Sequence, residues 1–231
     1  MIRKKWLVLP AFLLAYLSIV AVWAWGAFGD AVRLAPPAEV VSLTRWQTAI
    51  LLRVEDPGFY EHPGLSIASG QGLATISGAV ARDVFLYQGE FDGVRGRFQK
   101  FYRKVFDCCR RVDLGRDVMA LVLDARMPKQ EQLALYTARV YMGTDKGSQI
   151  RGLGQASRSY LGKPLTATTE LEFIQLVAMI KAPNHYHPRK NPVVLAERTR
   201  RIHTLVSGQC VSNGWFDTSF DQCALNPGSD S

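Results

Sequence analysis

The chain is poor in the features that would place it in several large classes. It has four cysteines in 231 residues, and none of their spacings resembles a zinc site. Cys108 and Cys109 are adjacent, which favours buried thiols over a strained bond, while Cys210 and Cys223 flank a polar tail and could pair in an oxidising compartment. There is no glycine-rich nucleotide loop and no strand-rich pattern, so a nucleotide-binding α/β fold and an all-β fold are both excluded. The formal net charge is +8, yet no zinc-finger or RNA-binding signature accompanies it. The charge is therefore read as facing a membrane surface or a phosphorylated substrate, with no nucleic acid as partner.

Charge is also missing locally. Trp6 to Phe28 contains no ionisable Asp, Glu, Lys or Arg over 23 residues, enough to cross a bilayer core of ~30 Å at ~1.5 Å per residue. Arg3, Lys4 and Lys5 precede it, and tryptophans stand near both ends, which predicts a cytoplasmic N-terminus and interfacial anchoring. A cleaved signal peptide is the competing reading, although the apolar run exceeds the usual 7–15 residues. The expected organisation is a tip at 1–5, a transmembrane anchor at 6–28, a linker at 29–39, one helical domain at 40–207 and a polar, peripheral tail at 208–231.

What is present centres on EDPGFYEHPG, Glu55 to Gly64. A segment with apolar residues at Leu43, Trp46, Ile50, Leu52 and Val54 leads into it, and Pro57 with Gly58 stops the helix there. A carboxylate ending a buried helix suits a general base, because partial burial tunes its pKa and the helix fixes its aim. The plain alternative is a helix that ends in a solvated acidic turn.

The order Glu55, Asp56, Phe59, His62, Gly64 resembles the first motif, E-D-x-x-F-x-x-H-x-G, of the family 51 peptidoglycan glycosyltransferases. These occur alone or as the first domain of class A penicillin-binding proteins. GLATISGAVARDVFL, from Gly72, is similar to their second motif, with Thr75, Val80, Phe85 and Leu86 matched, Ser77 for Thr and Arg82 for Lys. Gly78 and Ala79 stand where the family has paired glutamines. ALVLDARMPKQEQLALYTARVYMG, Ala120 to Gly143, resembles the family strongly, with Ala138 in place of Asn. The blocks from Ile150 to Lys163 and from Thr168 to Pro188 continue the likeness, with Glu172 on an acidic position.

The third motif, R-K-x-x-E, is the main departure. Arg103-Lys104-Val105-Phe106-Asp107 reads R-K-x-x-D, while counting back from the DVMALVLDAR block puts Arg116 at the glutamate's place. Around it, Asp92 to Arg116 holds eight Lys or Arg against three Asp, interleaved with Phe91, Phe98, Phe101, Tyr102 and Phe106. Such a stretch suits lipid headgroups or a diphosphate; a solvated charged face is the plain alternative. His185 and His187 form an H-x-H pair without a third ligand. No S-x-x-K and no K-T-G occurs, so penicillin-reactive transpeptidase chemistry is absent.

The resemblance implies an all-α, lysozyme-like bilobed helical domain behind an N-terminal transmembrane helix, with a membrane-proximal lobe that dips into lipid. It implies polymerisation of lipid II, with Glu55 as base and Asp107 as second acid. Arg82, Arg103 and Lys104 would meet the donor diphosphate, Thr75 and Ser77 would line the donor side, and Asp56 with His62 would hold the first motif in shape. The resemblance makes no cofactor certain and leaves a divalent cation, Mg or Mn, at the diphosphate as the candidate. The implied partners are lipid II, the growing lipid-linked glycan, the membrane and other cell-wall synthesis proteins. The implied location is a bacterial inner membrane, single-pass, with the domain in the periplasm. The lost glutamines, the displaced acid and Ala138 keep a second reading open: a protein that binds lipid-linked glycan without polymerising it. A lysozyme-like glycan-cleaving enzyme is the third.

Overall fold

The computed structural model describes residues 8–35, 42–66, 74–106 and 113–224. Apart from one antiparallel hairpin, the described elements are helical, as expected. The chain divides into two compact units, the first holding 1–36, 63–65 and 77–129, the second holding 37–62, 66–76 and 130–231.

In the first unit, α1 runs Val8–Leu34. It is the one described helix long and apolar enough to cross a membrane. The helix does not stop at Phe28, where the anchor was expected to end. Gly29 alone does not break it, and the first strong breakers are Pro36 and Pro37. Its outer turns are bare, with Leu9, Phe12 and Leu14 exposed, whereas Val20, Ala24, Ala27 and Ala31 are buried. These small residues recur at helical spacing and let α5, Leu114–Arg126, approach closely. At Gly115 no side chain fits, since a Cβ there would lie 2.3 Å from the Tyr102 hydroxyl and 2.4 Å from that of Tyr16.

Trp23 is seated among Phe85, Phe91 and Phe98 and donates its indole N–H to the Arg95 carbonyl at 3.1 Å. Phe85 belongs to the π-helical turn Asp83–Tyr87 that continues α3, Ile76–Arg82, and Phe98 to α4, Gly93–Phe106. Thus the aromatics of the basic stretch are divided. Phe91 and Tyr102 are buried, while Val94, Phe101 and Val105 remain exposed. Gln99 is fully buried and ties the turn before α4, donating to the Phe85 and Gly89 carbonyls at 2.8 and 2.9 Å and accepting from the Phe91 N–H.

In the second unit, α2, Arg45–Glu55, starts at a Thr44/Gln47 capping box. Gln47 is buried and also donates to the Leu165 carbonyl and the Thr168 hydroxyl. Then come α6, Lys129–Arg139, the strands β1, Tyr141–Asp145, and β2, Ser148–Arg151, and the short α7, Leu153–Ala156. Gly152, at φ +79°, makes the turn into α7; a Cβ there would stand 2.3 Å from the Ala138 carbonyl. The core helix is α8, Glu170–Ile180, with Phe173, Ile174, Leu176, Val177, Ala178 and Met179 all at 0 % exposure. Its apolar residues encircle it because α2 and α9, Pro192–Val206, pack on different sides. Glu172 closes a capping box with Thr169 and pairs with Lys163 at 2.8 Å, so the family's acidic position is spent on starting α8. The Lys163 ammonium and the Thr169 N–H hold its carboxyl down at about 2.

Within the described part of the tail, 208–224, two points are anchored. Cys210 and Cys223 are joined, and Phe220 and Cys223 are each 1 % exposed. The chain returns after Ser207 because Phe220 has apolar surface to bury on α9. Cys108 and Cys109 lie outside the described residues.

Candidate active site

Glu55 is the last residue of α2, and Asp56 caps that helix with its N–H on the Leu52 carbonyl. Pro57 and Gly58 then turn the chain, with the Phe59 N–H on the Asp56 carbonyl and the Glu61 and His62 N–H groups on that of Gly58. The two neighbouring carboxylates therefore leave the helix end in different directions and acquire different environments.

Asp56 is fully buried. Its carboxylate accepts from the Ile76 N–H at 2.9 Å and faces His62 Nε2 at 2.9 and 3.1 Å. It thus ties the end of α2 to the start of α3, inside the second motif, and to the last turn of the first motif. Phe59, 0 % exposed, supplies the apolar floor, edge-on to Tyr60 and His62. Gly64, in the first unit, has φ +103°, and a Cβ there would meet the Ala120 carbonyl at 2.7 Å. Each fixed position of the first motif other than Glu55 thereby has a structural reason in the first motif's own surroundings.

Glu55 keeps partial access to solvent in otherwise dense surroundings. Its Oε2 accepts from the Tyr136 hydroxyl at 3.1 Å. Loss of water raises its pKa to about 7; Asp56 adds to the rise, while the Tyr136 hydroxyl and the cations Arg198 and Lys181 oppose it. Desolvation wins, as it does for carboxyls in poorly hydrated sites. The phenol of Tyr136 is itself pushed well above its usual value by burial and by Glu55, so it stays a donor. A carboxyl poised near neutrality can both take a proton and give it up, which is the property a general base needs.

Lys181 and Arg198 carry no motif signal in the sequence, and Tyr136 stands there as a matched position of the family-like block from Ala120 to Gly143, on an apolar helical stripe with Leu133 and Val140. Arg198 lies on the buried stripe of α9, between Leu195 and Ile202, and an arginine on an apolar stripe is the signal that could have marked it. It is 4 % exposed, with Nε on the Ala178 carbonyl at 3.0 Å and its guanidinium over the Tyr186 ring.

Glu55, Asp56, His62 and Thr75 all belong to the second unit; Ser77, Arg82, Arg103 and Lys104 belong to the first. Thr75 and Ser77 are both buried, and Ser77 accepts from Lys129 Nζ at 3.3 Å, Lys129 also pairing with Asp124 at 2.7 Å. Neither residue stands on an open surface. Arg82 lies over the Tyr87 ring, 4.9 Å from its centre. Arg103 is 3.5 Å from Glu90, which Lys100 holds at 2.7 Å; Lys104 is exposed on the last turn of α4. Asp107 lies outside the described residues. Arg116, the alternative at its motif position, stands in the first turn of α5 and gives its N–H to Asp113. His185 and His187 diverge: His185 packs on Tyr186, while His187 is fully buried with Nδ1 accepting from the Arg189 N–H. Among the described residues no group of three or more His, Cys, Asp or Glu could hold a metal ion.

Residues 68–207 match the family model described as Transglycosylase. The chain is 32 % identical over 166 residues to penicillin-binding protein 1B of Buchnera aphidicola subsp. Baizongia pistaciae. It is 30 % identical over 173 residues to that of Escherichia coli and 32 % over 170 residues to that of Vibrio cholerae. These alignments cover 66, 69 and 68 % of this chain and 20, 18 and 19 % of the relatives, so the chain spans about a fifth of their length.

Proposed function

This chain belongs to the transglycosylase family, and we propose that it is a peptidoglycan glycosyltransferase that polymerises lipid II with inversion, using Glu55 as general base. The observation that carries the reading is the state of Glu55: a carboxyl at a rigid helix end, lifted to about 7 by loss of water and fixed by the Tyr136 hydroxyl. Ionised, it takes the proton of the acceptor sugar's 4-hydroxyl. The freed oxygen attacks the donor's anomeric carbon from the face opposite the diphosphate, whose bond to that carbon breaks as the pair of electrons leaves with it. Arg82, Arg103 and Lys104 are the cations proposed to receive the growing negative charge, an electrostatic term that acts mainly in the transition state. Asp107 is the proposed second acid. Asp56 and His62 act through the backbone, keeping Glu55 at its angle.

A Mg or Mn ion bound to the donor's own diphosphate oxygens would add to that charge stabilisation. The substrate's lipid fits an anchored enzyme. With α1 as the span and basic residues before it, the proposed topology has the N-terminus in the cytoplasm and the chain beyond α1 in the periplasm of a bacterial inner membrane, beside other cell-wall synthesis proteins.

The test is polymerisation of labelled lipid II by the detergent-solubilised chain, compared with Glu55→Gln. Chain growth with release of the diphosphate lipid supports the reading. A second reading has a specific observation behind it: Gly78, Ala79 and Ala138 lack the amides expected there. Tight binding of lipid II without turnover would favour that reading, a protein that holds lipid-linked glycan, and shortening of finished strands would favour a hydrolase.

A further inference from the structure

The segment after α9 reaches back to the surroundings of Glu55. The Cys210–Cys223 bond, with Cα atoms 5.6 Å apart, closes a loop across a separation of 13 residues. Three consecutive residues of that loop contact Arg198 or Lys181. The Thr218 carbonyl accepts from Arg198 Nη1 at 3.0 Å. The Ser219 hydroxyl accepts from Lys181 Nζ at 2.8 Å. The Phe220 ring lies 5.7 Å from the Arg198 guanidinium carbon. Asp217 braces the stretch, its carboxylate accepting from the Phe220 N–H at 2.9 Å and the Asn213 N–H at 2.8 Å. Arg201 of α9 pairs with Asp221 just beyond.

Two cations act on Glu55, Arg198 and Lys181, and the loop bonds to both. We propose that the disulfide-closed loop is a clamp that fixes Arg198 and Lys181 toward Glu55, which makes the loop, Arg198 and Lys181 positioning elements of the glycosyl-transfer site. The proposal rests on the reading of Glu55 as the base.

The physical reason lies in the cost of a buried guanidinium. Its N–H groups need acceptors, and a buried charge left without them moves to water instead. Here one acceptor is the Ala178 carbonyl of α8 and another is the Thr218 carbonyl of the loop, with the rings of Tyr186 and Phe220 on either side. Neither helix supplies the second acceptor. A loop of this length would otherwise fluctuate, and the cross-link removes much of that freedom. The groups that act on Glu55 are Tyr136 from α6, Asp56 beside it, Lys181 just after α8 and Arg198 from α9. The loop contacts the last two only. Releasing it lets buried Arg198 hydrate and frees the already exposed Lys181 to swing away, which weakens their pull on the carboxylate, while Tyr136 and Asp56 stay in place.

The experiment is a carbon-13 NMR titration of the full chain in detergent, labelled at glutamate carboxyls, with the Glu55 signal identified by its loss in Glu55→Gln. The oxidised protein is compared with the phosphine-reduced protein, with Cys210→Ser/Cys223→Ser and with Ser219→Ala. The clamp predicts that the Glu55 midpoint rises by roughly half to one pH unit in the reduced and double-serine proteins, part of the ~1–3 pH units a close opposite charge contributes. Ser219→Ala gives a smaller rise, and reoxidation restores the reduced sample. A midpoint that stays or falls, with circular dichroism unchanged, overturns the clamp. Should the double variant lose its helices, the same rise or its absence in Ser219→Ala decides. The titration needs no turnover: an oxidised protein that fails to polymerise lipid II sinks the transferase reading, whereas the clamp stands or falls on the midpoint.

Discussion

Replacing Glu55 by glutamine should abolish turnover and, at alkaline pH, stabilise the protein. The carboxyl is raised from the ordinary 4.5 to about 7 in the folded chain. In the unfolded chain it ionises near 4.5; in the folded chain it resists until about 7. Between these values the unfolded state loses the proton first, so Glu55 progressively destabilises the fold as pH rises through that window. Every pH unit that separates the two ionisations corresponds to ~1.36 kcal/mol. The full cost above pH 7 is then about 3 kcal/mol, and near zero below pH 4. Glutamine never ionises and still accepts from the Tyr136 hydroxyl. Glu55→Gln should therefore match the wild type at pH 4 and exceed it by about 2–3 kcal/mol at pH 8, or ~5–10 °C in melting temperature for a chain of this size. Polymerisation should drop by ~10²–10⁴ if the base is lost. The assay is thermal unfolding of both proteins in detergent across pH 4–8, beside lipid II turnover. Melting curves that run parallel over the whole range would refute the account of a desolvated carboxyl. Full activity in the variant would refute its role as base.

The same raised ionisation predicts that wild-type kcat/KM falls about tenfold per pH unit below pH 7, and an acid limb centred near 4.5 would contradict it. Asp56→Asn should cost about 1–3 kcal/mol of stability in denaturant unfolding, because the amide cannot serve the Ile76 N–H and His62 as the carboxylate does; a loss of activity with unchanged stability would instead give Asp56 a chemical part. Gly152→Ala should destabilise by about 2–4 kcal/mol, combining a left-handed backbone with collision against the Ala138 carbonyl, and a neutral effect on melting would mean that the turn can rearrange. If Asp107 is the second acid, Asp107→Asn slows turnover while Arg116→Ala acts on binding; a near-neutral Asp107→Asn would place Arg116 at the motif position.

Much of the helical layout could be read directly from the chain. Pro57 and Gly58 end α2 wherever its other residues pack, since proline lacks the N–H and glycine the stiffness that a helix needs. The uncharged run that begins at Trp6 fixes an apolar helix, and the capping pairs Thr44 with Gln47 and Thr169 with Glu172, seen in the structure, join residues only three apart in the chain. Glu55 stood out for the same reason: its place at a helix end before a breaker is a matter of neighbours in sequence.

What surrounds Glu55 was decided elsewhere. Tyr136, Lys181 and Arg198 come from 81 to 143 residues further along the chain, and no periodicity in a single segment reveals which buried polar groups will share a site. The tail shows this most plainly. By composition it is a polar end piece, but Phe220 needs apolar cover and Arg198 needs an acceptor that its own helix, with its carbonyls already bonded, does not provide. Only the packed structure meets both needs with the same three residues, because hydrogen-bond satisfaction of a buried charge is a property of the space around it, not of the order of the chain.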